Sequence, residues 1–129
     1  MREHRLIERV VRLLETEICS IEETGRTDPA LIDHVTDFVR TYADRCHHGK
    51  EEDILFRRLA GKDLDAGLAA AMEELIQDHV HGRALTRRIV EANARYAAGH
   101  GDALGEIAAA SRELVEFYPV HIQKEDRHF

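Results

Sequence analysis

Apolar positions along the first part of the chain recur with the spacing of an amphipathic helix. Between residues 4 and 21 one row recurs at alternating intervals of three and four residues, as in a helix of a bundle. Its members are His4, Ile7, Val11, Leu14, Ile18 and Ile21. The sequence shows no apolar–polar alternation typical of a β-strand. The pattern therefore predicts an all-α protein.

Helix-ending residues divide the first half of the chain into two predicted helices. The first runs from near the start of the chain to about Glu23, and Gly25 follows as a C-terminal cap. Asp28 then provides an N-cap, and Pro29 occupies the first helical position. We expect this second helix to reach about Ala60.

The second half of the chain predicts two further helices. The third begins between Asp63 and Gly67 and continues to about Ala98. Asp102 caps the fourth, which ends close to Phe129. Because the connections are short, consecutive helices should be antiparallel neighbours. The chain is thus expected to form an antiparallel up-down-up-down four-helix bundle.

Composition fits one domain spanning residues 1–129. The chain is 43% hydrophobic and 33% charged, and no apolar run approaches the roughly 20 residues of a membrane span. A net charge of −7 argues against nucleic acid or an anionic membrane as the main partner. Cys19 and Cys46 are too few for a disulfide framework, so we expect a reducing, cytoplasmic location.

Two of the nine histidines begin the same short pattern. His47 stands four residues before Glu51, and His121 stands four residues before Glu125. Four helical residues turn through about 400°, so each pair lies side by side on one helix face. Imidazole nitrogens and carboxylate oxygens from two helices are ligands suited to a pair of transition-metal ions.

Neighbouring residues offer an alternative pair on the second helix, His48 with Glu52. That row is charged or polar throughout, so it should face water. The row of His47 and Glu51 has apolar neighbours on both sides, namely Val39, Ala43 and Leu55. We therefore predict that His47 and Glu51 face inward.

Similar rows select histidines on the other helices. His79 is a better inward candidate than His81 on the third helix. On the fourth, His121 and Glu125 lie between two phenylalanines, while Asp126 is a second choice for the carboxylate.

His4 belongs to the inward row of the first helix. In an antiparallel bundle all four selected histidines are biased toward the same end. Unrelated buried histidine–glutamate pairs would be of doubtful benefit to stability, whereas a metal site would satisfy these groups together. The candidate ligands are His4, His47, Glu51, His79, His121 and Glu125.

At these residues the sequence resembles the hemerythrin-like family, also called HHE cation-binding domains. EHRLIE resembles the family's first-helix histidine motif, HHGKEEDILF its HxxxE helix, and HIQKED its final HxxxE/D helix. The resemblance covers essentially the whole chain and implies a non-haem centre of two iron ions. Each iron would be held by one pair of histidines, His4 with His47 and His79 with His121. Glu51 and Glu125 would bridge the two metals.

Two residues qualify this resemblance. Oxygen-carrying hemerythrins have a second histidine four residues after the third-helix histidine, where this chain has Arg83. A guanidinium stays protonated and is not a normal ligand, so one iron would keep a position for water or a small molecule. Pro119 should kink the fourth helix just before His121, unless the helix restarts at Pro119.

We expect a di-iron protein that binds or reduces a small oxidant: oxygen, peroxide or nitric oxide. An iron- or redox-responsive sensor, or an iron-handling module without turnover, is the alternative. Zinc or another divalent ion would also suit the same ligands. The sequence shows no acid–base pair or nucleophile beyond the ligands, so it leaves open whether the protein is an enzyme. It does not indicate an oligomeric state.

Overall fold

The structure, a computed structural model, describes residues 2–41 and 66–128. Within these ranges the chain is helical and contains no β-strand, which confirms the predicted all-α class. The described helices are α1 (Arg2–Thr24), α2 (Pro29–Phe38), α3 (Ala66–Ala97) and α4 (Ala103–His128). None of these helices combines the length and apolar character needed to cross a bilayer.

Local chemistry sets the end of α1 and the beginning of α2 where the sequence predicted them. Gly25 adopts a φ of 69°, and its backbone N–H donates to the carbonyl oxygen of Ile21 at 2.8 Å. Glycine adopts this left-handed conformation without steric cost, so α1 ends there. The Asp28 carboxylate accepts a hydrogen bond from the backbone N–H of Ala30 at 3.0 Å, and Pro29 occupies the first turn.

Two expectations from the sequence concern the later part of α2 and the course of α4 at Pro119. In α2 the α-helical geometry ends at Phe38, and a π-helical turn covers residues 39–41. The rest of the helix predicted to reach Ala60 lies outside the described residues. In α4 the helix continues through Pro119, so the alternative of a restart at this residue is wrong.

Among the described helices, α3 packs against α4, α4 against α1, α2 against α3, and α1 more lightly against α2. The inward row predicted for α1 is confirmed, since all six of its members are buried. Four of them, Ile7, Val11, Leu14 and Ile21, share one core cluster with residues of the other helices that include Ile32, Leu85, Ile89, Ile107 and Leu114. Removing this apolar surface from water is the main source of stability.

Buried polar contacts join α3 to α2 far from the histidines. The Asn93 side chain is 1% exposed, and its Nδ2 donates to the Pro29 carbonyl oxygen at 3.0 Å and to Asp33 Oδ1 at 2.8 Å. Asn93 follows His79 by about 20 Å along α3, given the rise of an α-helix. These contacts fix the C-terminal part of α3 against α2, whereas His79 lies near the middle of the helix.

Candidate metal centre

Two of the predicted ligands meet between α3 and α4. His79 and His121 are each 1% exposed. Their ring centroids lie 5.0 Å apart, and the ring planes make an angle of 69°. The row argument therefore selected two histidines that the fold buries side by side.

Asp78 orients the imidazole of His121. Its Oδ2 lies 3.1 Å from His121 Nδ1. A proton on Nδ1 would be donated to this carboxylate, which leaves the lone pair on Nε2. Nε2 of His121 is itself buried. Metal-binding histidines commonly have this arrangement, with a carboxylate at one ring nitrogen and the metal at the other.

Lys124 supports the outer side of the Asp78 carboxylate. Its Nζ lies 3.1 Å from Asp78 Oδ2 and 2.7 Å from Glu74 Oε1. The hydrogen bond to Glu74, and then that to Asp78, raises the pKa of Lys124 against the opposing effect of partial burial. The ammonium group thus stays protonated and helps to hold the Asp78 carboxylate beside His121.

Phe117 covers one face of the His121 ring. Their centroids lie 5.3 Å apart with only 14° between the planes, and His81 meets the Phe117 ring edge-on at 5.6 Å. Gly82 makes this position possible, because a Cβ atom there would lie 3.1 Å from Phe117 Cε1. The missing side chain of one helix thus admits an aromatic ring that shields a histidine of the next.

The other candidate ligands are described to different extents. His4 is 2% exposed on α1, and its Nδ1 is buried. His47 and Glu51 lie outside the described residues. The backbone of Glu125 belongs to α4, but its side chain lies outside the description, as does that of Asp126. The choice between these two carboxylates therefore stays open.

Sequence reasoning missed Asp78 and the stacking role of Phe117. The contact of Asp78 with His121 crosses the interface between α3 and α4, whereas row analysis compares residues of one helix. Phe117 and His121 lie on one row of α4, so row analysis placed them next to each other but did not indicate that their rings stack. The only available signal was the position of Asp78 directly before His79, which does not reveal a contact with His121.

The side chains present fit a transition-metal cation. Imidazole nitrogens suit iron, zinc and copper, and a buried Nε2 opposite an Nδ1–carboxylate contact is positioned for such an ion. Among residues 2–41 and 66–128, no group of three or more His, Cys, Asp or Glu side chains is arranged to hold a metal. Three of the six candidate ligand side chains, those of His47, Glu51 and Glu125, are not among the described side chains.

Comparison with known proteins identifies the family. The family model of the hemerythrin HHE cation-binding domain matches residues 1–129, the whole chain. Searches of curated proteins and of solved structures each found no match. The length of the family match agrees with the histidine motifs, whose α3 and α4 members the fold buries together. The chain therefore belongs to the hemerythrin HHE cation-binding domain family.

Proposed function

We propose that this protein binds a pair of iron ions and through them binds or reduces a small oxidant: oxygen, peroxide or nitric oxide. The main support is His121, which is buried, oriented by Asp78 at 3.1 Å and 5.0 Å from the ring of His79. Burying two imidazoles without a shared function would be an inefficient way to stabilise a core. Membership of a cation-binding family supports the same conclusion.

The proposed ligand set keeps all six residues that the sequence indicated. They are His4, His47, Glu51, His79, His121 and Glu125. The burial of His4, His79 and His121, each at most 2% exposed, supports the histidine part of this set. The carboxylates of Glu51 and Glu125 would help to hold the ions and would neutralise part of their charge, and zinc or another divalent ion would suit the same groups.

We further propose that residues 1–129 form one up-down-up-down bundle. The order of contacts along α3 and α4 supports opposite directions for this pair. Asp78 in α3 contacts His121, whereas Arg88, about three turns later, contacts Glu106 and Glu113. The family match over the whole length supports a single domain.

The protein residues would control access and protonation around the metals. Iron, when bound, supplies the electrons for reduction of the oxidant. Asp78 holds a proton on Nδ1 of His121, which fixes the ring for binding through Nε2. Phe117 stacks on that ring and shields one of its faces from water.

Arg83 favours a reactive centre over an oxygen carrier. It follows His79 by one helical turn, is exposed, and lines a cavity together with His79. A guanidinium does not ligate iron, so the protein offers one nitrogen fewer at this position than oxygen-carrying relatives. An external small molecule would take the position that this missing nitrogen leaves.

Rapid mixing of the iron-loaded, anaerobically reduced chain with oxygen, peroxide or nitric oxide tests the proposal. We expect a change of iron absorbance with at least one of the three oxidants. His121→Ala should abolish this change, and His100→Ala, at an exposed position between α3 and α4, should retain it. An iron-loaded protein that reacts with none of the three would contradict the oxidant proposal while leaving metal binding intact.

A further inference from the structure

A cavity of about 390 Å³ lies beside the histidine cluster and is lined by residues of three helical segments. Arginines mark its outer part: Arg40 comes from the π-helical turn after α2, and Arg83 and Arg87 come from α3. Among the described lining residues these three arginines stand against one acid, Glu91. A local excess of positive charge is notable in a protein with a net charge of −7.

Other residues that line the cavity are buried or apolar. His79 and Tyr118 line it and are only 1% and 2% exposed. Val39 and Val90 contribute apolar surface to its walls. The cavity therefore leads from exposed guanidinium groups toward a buried candidate metal ligand.

We propose that this cavity binds a small organic carboxylate. The planar guanidinium fork matches a carboxylate group and forms charge-assisted hydrogen bonds with it. Arg40 and Arg87 would hold the carboxylate, while its hydrocarbon part contacts Val39 and Val90. The volume of about 390 Å³ is near the lower end of the range for small-molecule sites.

The composition of the cavity disfavours other anions. Inorganic phosphate would use the arginines but leave the apolar walls without a partner. A nucleic acid would meet an acidic protein outside this local patch, because the chain carries a net charge of −7. A carboxylate with a short aliphatic chain satisfies both the charged and the apolar parts.

This inference goes beyond the proposed function, because the cavity would hold a carboxylate whether or not the oxidant chemistry occurs. It nevertheless bears on that chemistry, since His79 lies at the inner wall. Carboxylate binding and iron content are therefore measured separately, so that failure of one proposal is distinguishable from failure of the other.

Calorimetric titration of the full chain, as purified, with butyrate and with inorganic phosphate tests the proposal. We expect saturable butyrate binding that is tighter than phosphate binding. Arg40→Gln and Arg87→Gln should each weaken butyrate binding about tenfold or more, because a charge-assisted hydrogen bond is lost. Arg95→Gln is the matched control, because Arg95 is an exposed arginine of the same helix outside the described cavity lining.

Three results would overturn the proposal. They are the absence of saturable butyrate binding, tighter binding of phosphate than of butyrate, and an equal loss of affinity in Arg95→Gln and Arg87→Gln. Iron content unchanged in Arg87→Gln, together with lost butyrate binding, would support a site in the cavity rather than an effect on the metal ligands.

Discussion

Asp78 Oδ2 lies 3.1 Å from Nδ1 of His121 and so joins α3 to a buried histidine of α4. A carboxylate only accepts hydrogen bonds, so a proton on Nδ1 would be donated to Asp78 and the lone pair of Nε2 would be left for a metal. Asp78 is 19% exposed at its side chain, while His121 is only 1% exposed. The carboxylate therefore connects the surface of the protein to its candidate metal centre.

Replacing Asp78 by asparagine should weaken metal binding while preserving the fold. The amide keeps the size of the side chain but removes the negative charge that orients His121. Losses of this kind typically lower metal affinity about 10- to 100-fold. Competition with a chromogenic chelator would measure the change.

Two control variants test whether the loss of metal affinity comes from the contact between Asp78 and His121 or from a general change of charge near the site. Lys124→Met removes the cation at 3.1 Å from Asp78 but leaves the carboxylate beside His121. Glu73→Gln changes an exposed acid of the same helix, which hydrogen bonds only to Gln77 among the contacts described. We expect both to retain more metal affinity than Asp78→Asn, and equal losses in all three would refute an orienting role.

Gly82→Ala should disturb the packing of Phe117 against His121. The new Cβ would lie 3.1 Å from Phe117 Cε1, so the ring must move away. Gly105→Ala is the control, because a Cβ at this helical position meets nothing within 4 Å. Since both changes favour helix, we expect the free energy of unfolding of Gly82→Ala to be about 1 to 3 kcal/mol lower than that of the control.

Urea denaturation monitored by circular dichroism would measure this difference. A change in the absorbance of bound metal in Gly82→Ala, but not in Gly105→Ala, would show that the displacement of Phe117 also affects His121. Equal stability of the two variants would show that the Phe117 ring adapts without cost.

Asn93→Ala should destabilise the protein without touching the histidine cluster. The buried amide donates to Pro29 O and to Asp33 Oδ1, so its loss removes two hydrogen bonds between α3 and α2. We expect a decrease of about 1 to 3 kcal/mol in the free energy of unfolding. Gln77→Ala, which removes an exposed hydrogen bond to Glu73, should cost less than about 0.5 kcal/mol.

Metal removal should lower thermal stability. A metal present at 100 times its dissociation constant stabilises the folded state by about 2.7 kcal/mol, which for a chain of this size corresponds to roughly 10 °C in Tm. Differential scanning calorimetry before and after treatment with an iron chelator measures the shift. An unchanged Tm would count against coupling of metal binding to folding, and therefore also against the alternative of a metal-responsive sensor.

Local features of the fold were predictable from sequence because local interactions determine them. The inward row of α1 follows from helical periodicity, and the end of α1 at Gly25 follows from the left-handed conformation that glycine tolerates. The beginning of α2 follows from an aspartate that accepts a hydrogen bond from the backbone of its first turn. Such features depend on neighbours within a few residues along the chain.

The candidate site was predictable only in part, because its geometry depends on how helices pack. Periodicity indicated that His79 and His121 face inward, and both are buried. It did not indicate that Asp78 contacts His121, since that contact spans two helices. Nor could it decide between Glu125 and Asp126, which lie on adjacent rows of one helix.

The iron and zinc content per chain, measured by elemental mass spectrometry, is the most direct test of the proposed metal centre. The account predicts a pair of iron ions in the full chain and in His100→Ala, whose substituted residue is exposed. It predicts a loss of metal in His121→Ala, with the helical circular dichroism spectrum retained. Less than one metal ion per chain after aerobic iron loading, or an unchanged content in His121→Ala, would contradict the account.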